Sequence, residues 1–451
     1  MASDLATISQ QPGAAGTSSE SAVASLLNDF DAKNSKLGAF TFVDAANAIR
    51  AAQDSDARRS VGALRSPIDG LPVAVKANIA VKSWPYTAGL RFRAAQIAEV
   101  DAFVVQRLRN SGAIIVGLTN MDEGALGAEG RNPWFLDTQN PRRPGWSAGG
   151  SSSGSAAAVA GGLVPLALGT DTIGSLRIPA SFCGICSLKP TFGLVSCGGI
   201  VGVHPRFDHA GPMAATVKEL QRALAVLSGY DPACRVSFPV ELTPRSAAGT
   251  KRAIAYATGL DGLQLTDETV AGYNQGIAGL RTLGHRLTPL DFSSWDLPRL
   301  RRAILALCEL EMWRTHQQRV LETPGDFSDA LRAFIRFGHT LDVDDIHAAE
   351  RRIAAFSIAY HAATRCYAAC ILPTTPCASF AQRERHPQNT ADLTSIASAT
   401  GCPALSLPMP VPAHGMPVGL QMIGPPNSDL ELLRLGAELE AALKPAAGRS
   451  G

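Results

Sequence analysis

At 451 residues with 46% hydrophobic side chains, the chain is long enough to bury a large core and too apolar to be disordered or fibrous. Lys and Arg total 41 against 39 Asp and Glu, a formal charge of +2, with no basic run longer than two; charge therefore argues against nucleic acid as a partner. No tract approaches the ~20 uninterrupted apolar residues of a membrane span. The nine cysteines form no regular framework, and the N-terminus has no basic-then-apolar secretion pattern, so the expected setting is the reducing cytoplasm.

In chain order, residues 1–19 are rich in Ala, Ser, Gln and Gly without an apolar repeat and read as a disordered lead-in, not Arg-rich enough for a transit peptide. Ala22, Val23, Leu26, Leu27 and Phe30 then recur at helical spacing, Phe40, Phe42 and Val43 mark a short strand, and an Ala-rich helix is expected over 44–57. Gly70-Leu-Pro-Val-Ala-Val-Lys76 is a buried-strand pattern that carries a lysine inward. A helix over 102–111 and a strand over 113–117 repeat the alternation, the mark of an α/β sheet with covered faces. After Met121 the sequence is irregular for about 25 residues, a length that favours a functional loop, and Trp134, Phe135 and Trp146 lie in it. Residues 149–184 follow, with two serine clusters, Ser151–Ser153 and Ser175, joined by a small-residue helix and an apolar strand. A helix is expected over 214–229 and a strand over 253–257. Residues 260–369 read as a mainly helical section whose charges form a solvated face. Short strands at 370–373, 404–407 and 418–423 and a last helix over 429–443 close the chain, with a tail at 446–451.

Serine is a poor nucleophile without a base, and the carbonyl it attacks needs N–H donors for the developing oxyanion. The turn Thr170-Asp-Thr-Ile-Gly-Ser175 leaves an apolar strand and precedes a helix, so the N–H groups of Thr172, Ile173, Gly174 and Ser175 can converge on one oxygen. None of the nine histidines lies in a motif pointing at this loop, and no H-x-x-x-H pair with an adjacent glutamate offers a metal site; Lys76 remains as the buried candidate base. Burial beside Val73, Ala74 and Val75 would favour its neutral amine. Gly150-Ser-Ser-Ser-Gly154 also fits G-x-S-x-G with Ser152 as nucleophile, but that motif needs a preceding strand and residues 144–149 do not read as one. Cys183 and Cys186 have C-x-x-C spacing without a second pair and read as small core residues.

These residues carry a resemblance. G-L-P-V-A-V-K-A-N-I at 70–79, G-L-T-N-M-D-E at 117–123, the Gly/Ser stretch, G-T-D-T-I-G-S-L-R-I-P-A-S-F-C-G at 169–184, L-K-P-T-F-G at 188–193, P-T-T-P at 373–376 and G-C-P-A-L-S-L-P at 401–408, followed by M-P-V-G-L-Q-M-I-G at 416–424, resemble the blocks of the amidase signature family of serine hydrolases, in order. The resemblance implies one large α/β/α domain over about 20–445, with a central twisted mixed sheet covered by helices on both faces. It implies a Ser–cis-Ser–Lys triad: Ser175 as nucleophile, Ser151 as bridging serine after a cis Gly150–Ser151 peptide, and Lys76 as base, with no cofactor and no metal. Asp171 and Arg177 are expected to brace the loop as a pair. Three positions depart from the family pattern: Ile173 where a glycine is usual, Ala77 where Asp is common, and Ser153 where Gly is usual.

The implied activity is hydrolysis of a non-peptide C–N bond, in an amide, anilide or carbamate, by a cytoplasmic monomer or homodimer acting on a small molecule. The alternative is the A-type subunit of a glutamine-dependent tRNA amidotransferase, which supplies ammonia to a partner. Met121, Trp134, Phe135, Ser152 and Ile173 are the expected pocket residues. Ala125, Leu126, Ala128 and Leu176 add an apolar character.

Overall fold

A computed structural model describes residues 18–240, 242, 249–382, 384, 387–410 and 415–444. The expected lead-in lies outside these as far as residue 17, and the expected tail lies outside them altogether. The chain enters on helices α1 (Ser19–Asn28) and α2 (Phe30–Leu37), strand β1 (Phe40–Val43) and helix α3 (Ala45–Ser60), capped where the Asp44 side chain accepts the Asn47 N–H. Strand β2 (Pro72–Lys76), helix α4 (Phe103–Asn110) and strand β3 (Ile114–Thr119) form a parallel unit, as the alternation predicts. Next comes a hairpin of β4 (Gln139–Asn140) and β5 (Arg143–Ser147). The sequence reading gave residues 144–149 no strand, and this is corrected: the ladder pairs only Gln139 with Ser147 and Asn140 with Arg143, so the N–H that Pro144 lacks is not needed.

Helix α5 (Ser153–Ala160), strand β6 (Leu166–Asp171) and helix α6 (Arg177–Cys183) follow, then β7 (Cys186–Lys189), β8 (His209–Ala214), helix α7 (Val217–Leu227) and β9 (Ala253–Thr258). The section expected to be mainly helical holds α8 (Asp267–Thr282), strand β10 (Arg286–Asp291), α9 (Leu297–Glu322), α10 (Asp329–Thr340) and α11 (Val343–Thr364). The chain closes with β11 (Ala369–Pro373), α12 (Asp392–Thr400), β12 (Ala404–Pro408), β13 (Gly419–Ile423) and α13 (Asp429–Leu443).

Eleven strands make one sheet in the order β1-β3-β2-β6-β8-β7-β12-β13-β11-β9-β10. It is mixed: β3, β2 and β6 run parallel, as do β11, β9 and β10, while the strands between them pair antiparallel. Side chains alternate between its faces. Val73, Val75, Leu166 and Leu168 enter one core, while Ala74 and Ala167 enter another with Ala156, Ala157 and Ala158 of α5. Small residues on that second face let α5 lie close to the sheet, and a Cβ on Gly154 would stand 2.3 Å from the Ala39 carbonyl oxygen. The layering is the α/β/α arrangement expected from sequence. Among the described residues no helix is long and apolar enough to cross a membrane.

Candidate active site

Strand β2 is buried along its whole length, and its last residue, Lys76, has no exposed surface. The Lys76 Nζ lies 2.8 Å from Ser151 Oγ and 2.8 Å from Thr170 Oγ1. Thr170 is available because β6 runs parallel beside β2, with Leu168 opposite Val75. Burial lowers the Lys76 pKa to about 7, although the charges of Asp122, Asp171 and Asp208 favour the ammonium. Ser151 follows a cis Gly150–Ser151 peptide. Its neighbour Ser152 is turned away from this pair: Ser152 Oγ donates to the Thr170 carbonyl at 3.0 Å and accepts the Thr170 N–H at 3.2 Å. Even with β5 upstream, Ser152 is held by a strand backbone and is not presented as a nucleophile would be.

Between β6 and α6 runs the loop 172–175, tied to the Ser151 segment where the Ser175 carbonyl accepts the Ser152 N–H at 3.2 Å. Among the described residues the N–H groups of Thr172, Ile173, Gly174 and Ser175 donate no hydrogen bond, and neither does the Ser175 hydroxyl. Three ties fix the loop. Thr172 Oγ1 donates to Asp208 at 2.6 Å, and Thr394 Oγ1 donates to the Ile173 carbonyl at 2.5 Å. Gly174, at φ 144, is where Thr394 approaches: a Cβ there would lie 2.5 Å from Thr394 Oγ1. The third tie is Arg177, wholly buried, whose Nε and Nη2 grip Asp171 at 2.9 and 2.8 Å. Its other donors reach the Thr394 carbonyl, Gln421 Oε1 and Ser398 Oγ. Burial alone would raise the Asp171 pKa, but the guanidinium holds it at about 2.

A cavity of about 880 Å³ opens on this loop. Its lining includes Thr172, Ile173, Gly174 and Ser175 of the loop, Asp122, Leu126, Phe135 and Leu136 of the segment after β3, and Leu305, Cys308, Leu331 and Phe334 of α9 and α10. Of the residues expected at the pocket, Phe135 and Ile173 line it, as do Ala125, Leu126 and Ala128. Met121, Trp134, Ser152 and Leu176 are outside the lining, and Met121, Ser152 and Leu176 are buried behind it. Trp146 stands under the Arg143 guanidinium, 4.2 Å from its ring centre. Cys183 and Cys186 are buried free thiols.

Sequence reasoning missed Thr170, Thr394, Asp122 and the helical wall. Asp122 is a fully buried carboxyl that accepts the N–H groups of Glu129 and Gly130, and burial pushes it up to about 7. It packs against the Gly150–Ser151 segment, for its N–H donates to the Ser151 carbonyl at 3.3 Å and a Cβ on Gly150 would stand 2.5 Å from its Oδ1. Its place within the quoted block at 117–123 was the available signal.

The Amidase family model matches residues 21–433. The A-type subunit of the glutamyl-tRNA(Gln) amidotransferase of Acidothermus cellulolyticus is 34% identical over 91% of this chain and 88% of its own. Its counterpart of the same name from Methanothermobacter thermautotrophicus is 39% identical over 275 residues, so this chain spans 60% of that relative's length. Among solved structures, a chain described with a vestigial protein complex and the evolutionary origins of an s-triazine catabolic enzyme superposes with a TM-score of 0.89 at 30% identity, over 95% of this chain and 97% of that one. With its sheet, its loop and its sequence blocks all in that register, this chain belongs to the amidase (amidase signature) family.

Proposed function

We propose that the protein hydrolyses an amide-type C–N bond through an acyl-enzyme on Ser175, with Ser151 as the bridging hydroxyl and Lys76 as the base. The observation that carries this reading is the 2.8 Å contact between a wholly buried lysine amine and Ser151 Oγ, beside four uncommitted N–H groups at a cavity wall. Neutral Lys76 takes the Ser151 proton as Ser151 takes that of Ser175, and Ser175 Oγ bonds to the acyl carbon. The oxyanion is held by the N–H groups of residues 172–175. The C–N bond then breaks, and the proton returns along the same relay to the leaving nitrogen. Water repeats the steps in reverse, freeing the acid and restoring the hydroxyl. The relay requires no cofactor. The free thiols, Cys183 and Cys186 among them, suit a reducing, cytoplasmic setting.

For the substrate, the apolar walls favour an aryl or alkyl acyl group in an amide, anilide or carbamate, acted on by a monomer or homodimer. A second reading, the ammonia-supplying A-type subunit of a glutamine-dependent tRNA amidotransferase, is favoured by the names of the relatives, which support it better than they support a free-standing hydrolase. Both readings share the relay. They part at glutamine: ammonia release from glutamine, enhanced by a partner, is the outcome of the second, and turnover of aryl amides by the chain alone is the outcome of the first. Size-exclusion chromatography and an ammonia assay beside a panel of p-nitroanilides and carbamates separate them. Lys76→Ala and Ser175→Ala are expected to abolish the burst of p-nitrophenol from an activated ester; a normal burst in either sinks the proposed relay.

A further inference from the structure

Glu123 is 4% exposed and lines the cavity. Its Oε1 accepts two hydrogen bonds, from Trp134 Nε1 at 2.7 Å and from the Ser328 N–H at 3.1 Å. Trp134 belongs to the loop that brings Phe135 to the cavity; Ser328 caps α10, whose Leu331 and Phe334 line the same cavity. One carboxylate oxygen thereby joins segments 205 positions apart in sequence. Because the accepting oxygen is shielded from water, neither bond competes with solvent, and both are electrostatically stronger than they would be at the surface.

The surroundings make this join the point on which the wall turns. Arg91 reinforces it, with its guanidinium 5.0 Å from the Trp134 ring centre and Nη1 donating to the Gly325 carbonyl at 3.3 Å. Gly124 lets the backbone approach α10, for a Cβ there would lie 3.3 Å from Leu331 Cδ2. On its far side α10 is seated on α9 backbone to backbone at Gly338. Glu123 thus ties the near end of α10, which packs closely on α9, to the segment that carries Asp122.

We propose that Glu123 is a specificity-determining latch: by gathering Trp134 and Ser328 on one oxygen, it sets the gap between the Phe135 loop and the Leu331–Phe334 face of α10, and so the width of acyl group that reaches Ser175. This rests on the amide-hydrolase reading, because only there does the gap select an acyl group. The latch itself is a property of the free protein.

The test pairs hydrogen–deuterium exchange on the free full chain with kinetics on p-nitroanilides of increasing acyl length. Glu123→Ala is expected to speed exchange over residues 328–334 about tenfold, and to change KM by about tenfold for the longer acyl groups with kcat moving far less. Glu123→Gln keeps an oxygen for both donors and is expected to restore both measures; Trp134→Phe, which removes one of the two bonds, is expected to fall between. Unchanged exchange over 328–334 in Glu123→Ala overturns the latch, and so does an equal loss of kcat/KM at every acyl length, the pattern of general destabilisation. If Glu123→Ala does not fold, Trp134→Phe carries the same two readouts. Should the unmodified protein cleave none of the series, the hydrolase reading falls, and the exchange measurement decides the latch alone.

Discussion

Lys76 and Asp122 show how a single residue's setting decides what the site can do. A lysine in water, with a pKa of about 10.4, is protonated at neutral pH and useless as a base. Burial brings this one to about 7, and the nearby Asp122 carboxylate pulls in the opposite direction, favouring the ammonium. In the proposed relay only neutral Lys76 accepts a proton, so kcat/KM is expected to rise with pH through about 7, with an apparent midpoint that belongs to Lys76 and Asp122 together. Asp122→Asn removes the opposing charge while keeping an oxygen for the Glu129 and Gly130 N–H groups, and it is expected to move that rise to lower pH. A pH profile that stays put or moves upward counts against the coupling. Arg177 is the structural counterpart. Its removal in Arg177→Ala leaves Asp171 buried without its cation, and about 3–5 kcal/mol of stability is expected to be lost in urea unfolding at pH 7. The Asp171 pKa is depressed in the folded state, so its contribution is present above the unfolded value of about 3.9 and disappears as pH falls from there through about 2. The variant's deficit is therefore expected to shrink in that acid window. The proposed triad of Lys76, Ser151 and Ser175 was named from sequence blocks, whereas Thr170 and Asp122, although they lie inside two of those blocks, were not given a role: their contacts depend on β6 lying parallel to β2 and on a buried approach to Gly150, neither of which a local pattern carries.

At the scale of elements, the strands and helices with clean apolar periodicity were legible and those shaped by neighbours were not. Strand β8 reads His-Ala-Gly-Pro-Met-Ala, a composition with little strand propensity, yet it lies in mid-sheet between β6 and β7. Packing explains it: a Cβ on Gly211 would stand 2.2 Å from the Leu188 carbonyl oxygen, so the position admits no side chain. Strand β10, with Arg286, Pro289 and Asp291, is at the sheet edge, where proline and charge are tolerated and discourage pairing with other chains; that same composition hid it in a helical section. The crossing of α9 and α10 sets two opposing effects against each other at Gly338. Helix propensity alone predicts a gain of about 1 kcal/mol for Gly338→Ala. The new Cβ, however, would fall 2.1 Å from the Glu309 carbonyl oxygen, a backbone atom that cannot turn aside. Overpacking of this kind costs ~1–3 kcal/mol, so a lowered melting temperature is expected, with a change in KM as the α10 wall moves. A raised melting temperature would mean that the helices separate freely.

On the scale of the whole molecule, the alternation of helix and strand announced an α/β sheet, but the order of its strands could not be read, because the chain's end returns to its middle. β12 and β13 insert between β7 and β11, and one continuous core runs from Ile68 to Leu439. This has a consequence for the proposed active site. Residues 18–240 contain Lys76, Ser151 and Ser175, and a motif-based view would expect that half to retain acyl transfer. Three losses argue otherwise. Without β12, strand β7 becomes an open edge, ready to pair with other chains. Arg177 loses the Thr394 carbonyl, Gln421 and Ser398 together, leaving part of a buried guanidinium unsatisfied, and the Ile173 carbonyl loses the Thr394 hydroxyl that fixes the loop. The cavity also loses the wall built by α9 and α10. The fragment 18–240 expressed alone is therefore expected to aggregate or to unfold without a cooperative transition, and to give no burst from an activated ester. Co-expression with residues 249–444, which supply β9 through α13, is expected to restore both. A soluble, cooperatively folded 18–240 fragment with a full burst would show that the site is local to its sequence motifs. The sheet order predicts instead that it is assembled only when the chain's last strands come home.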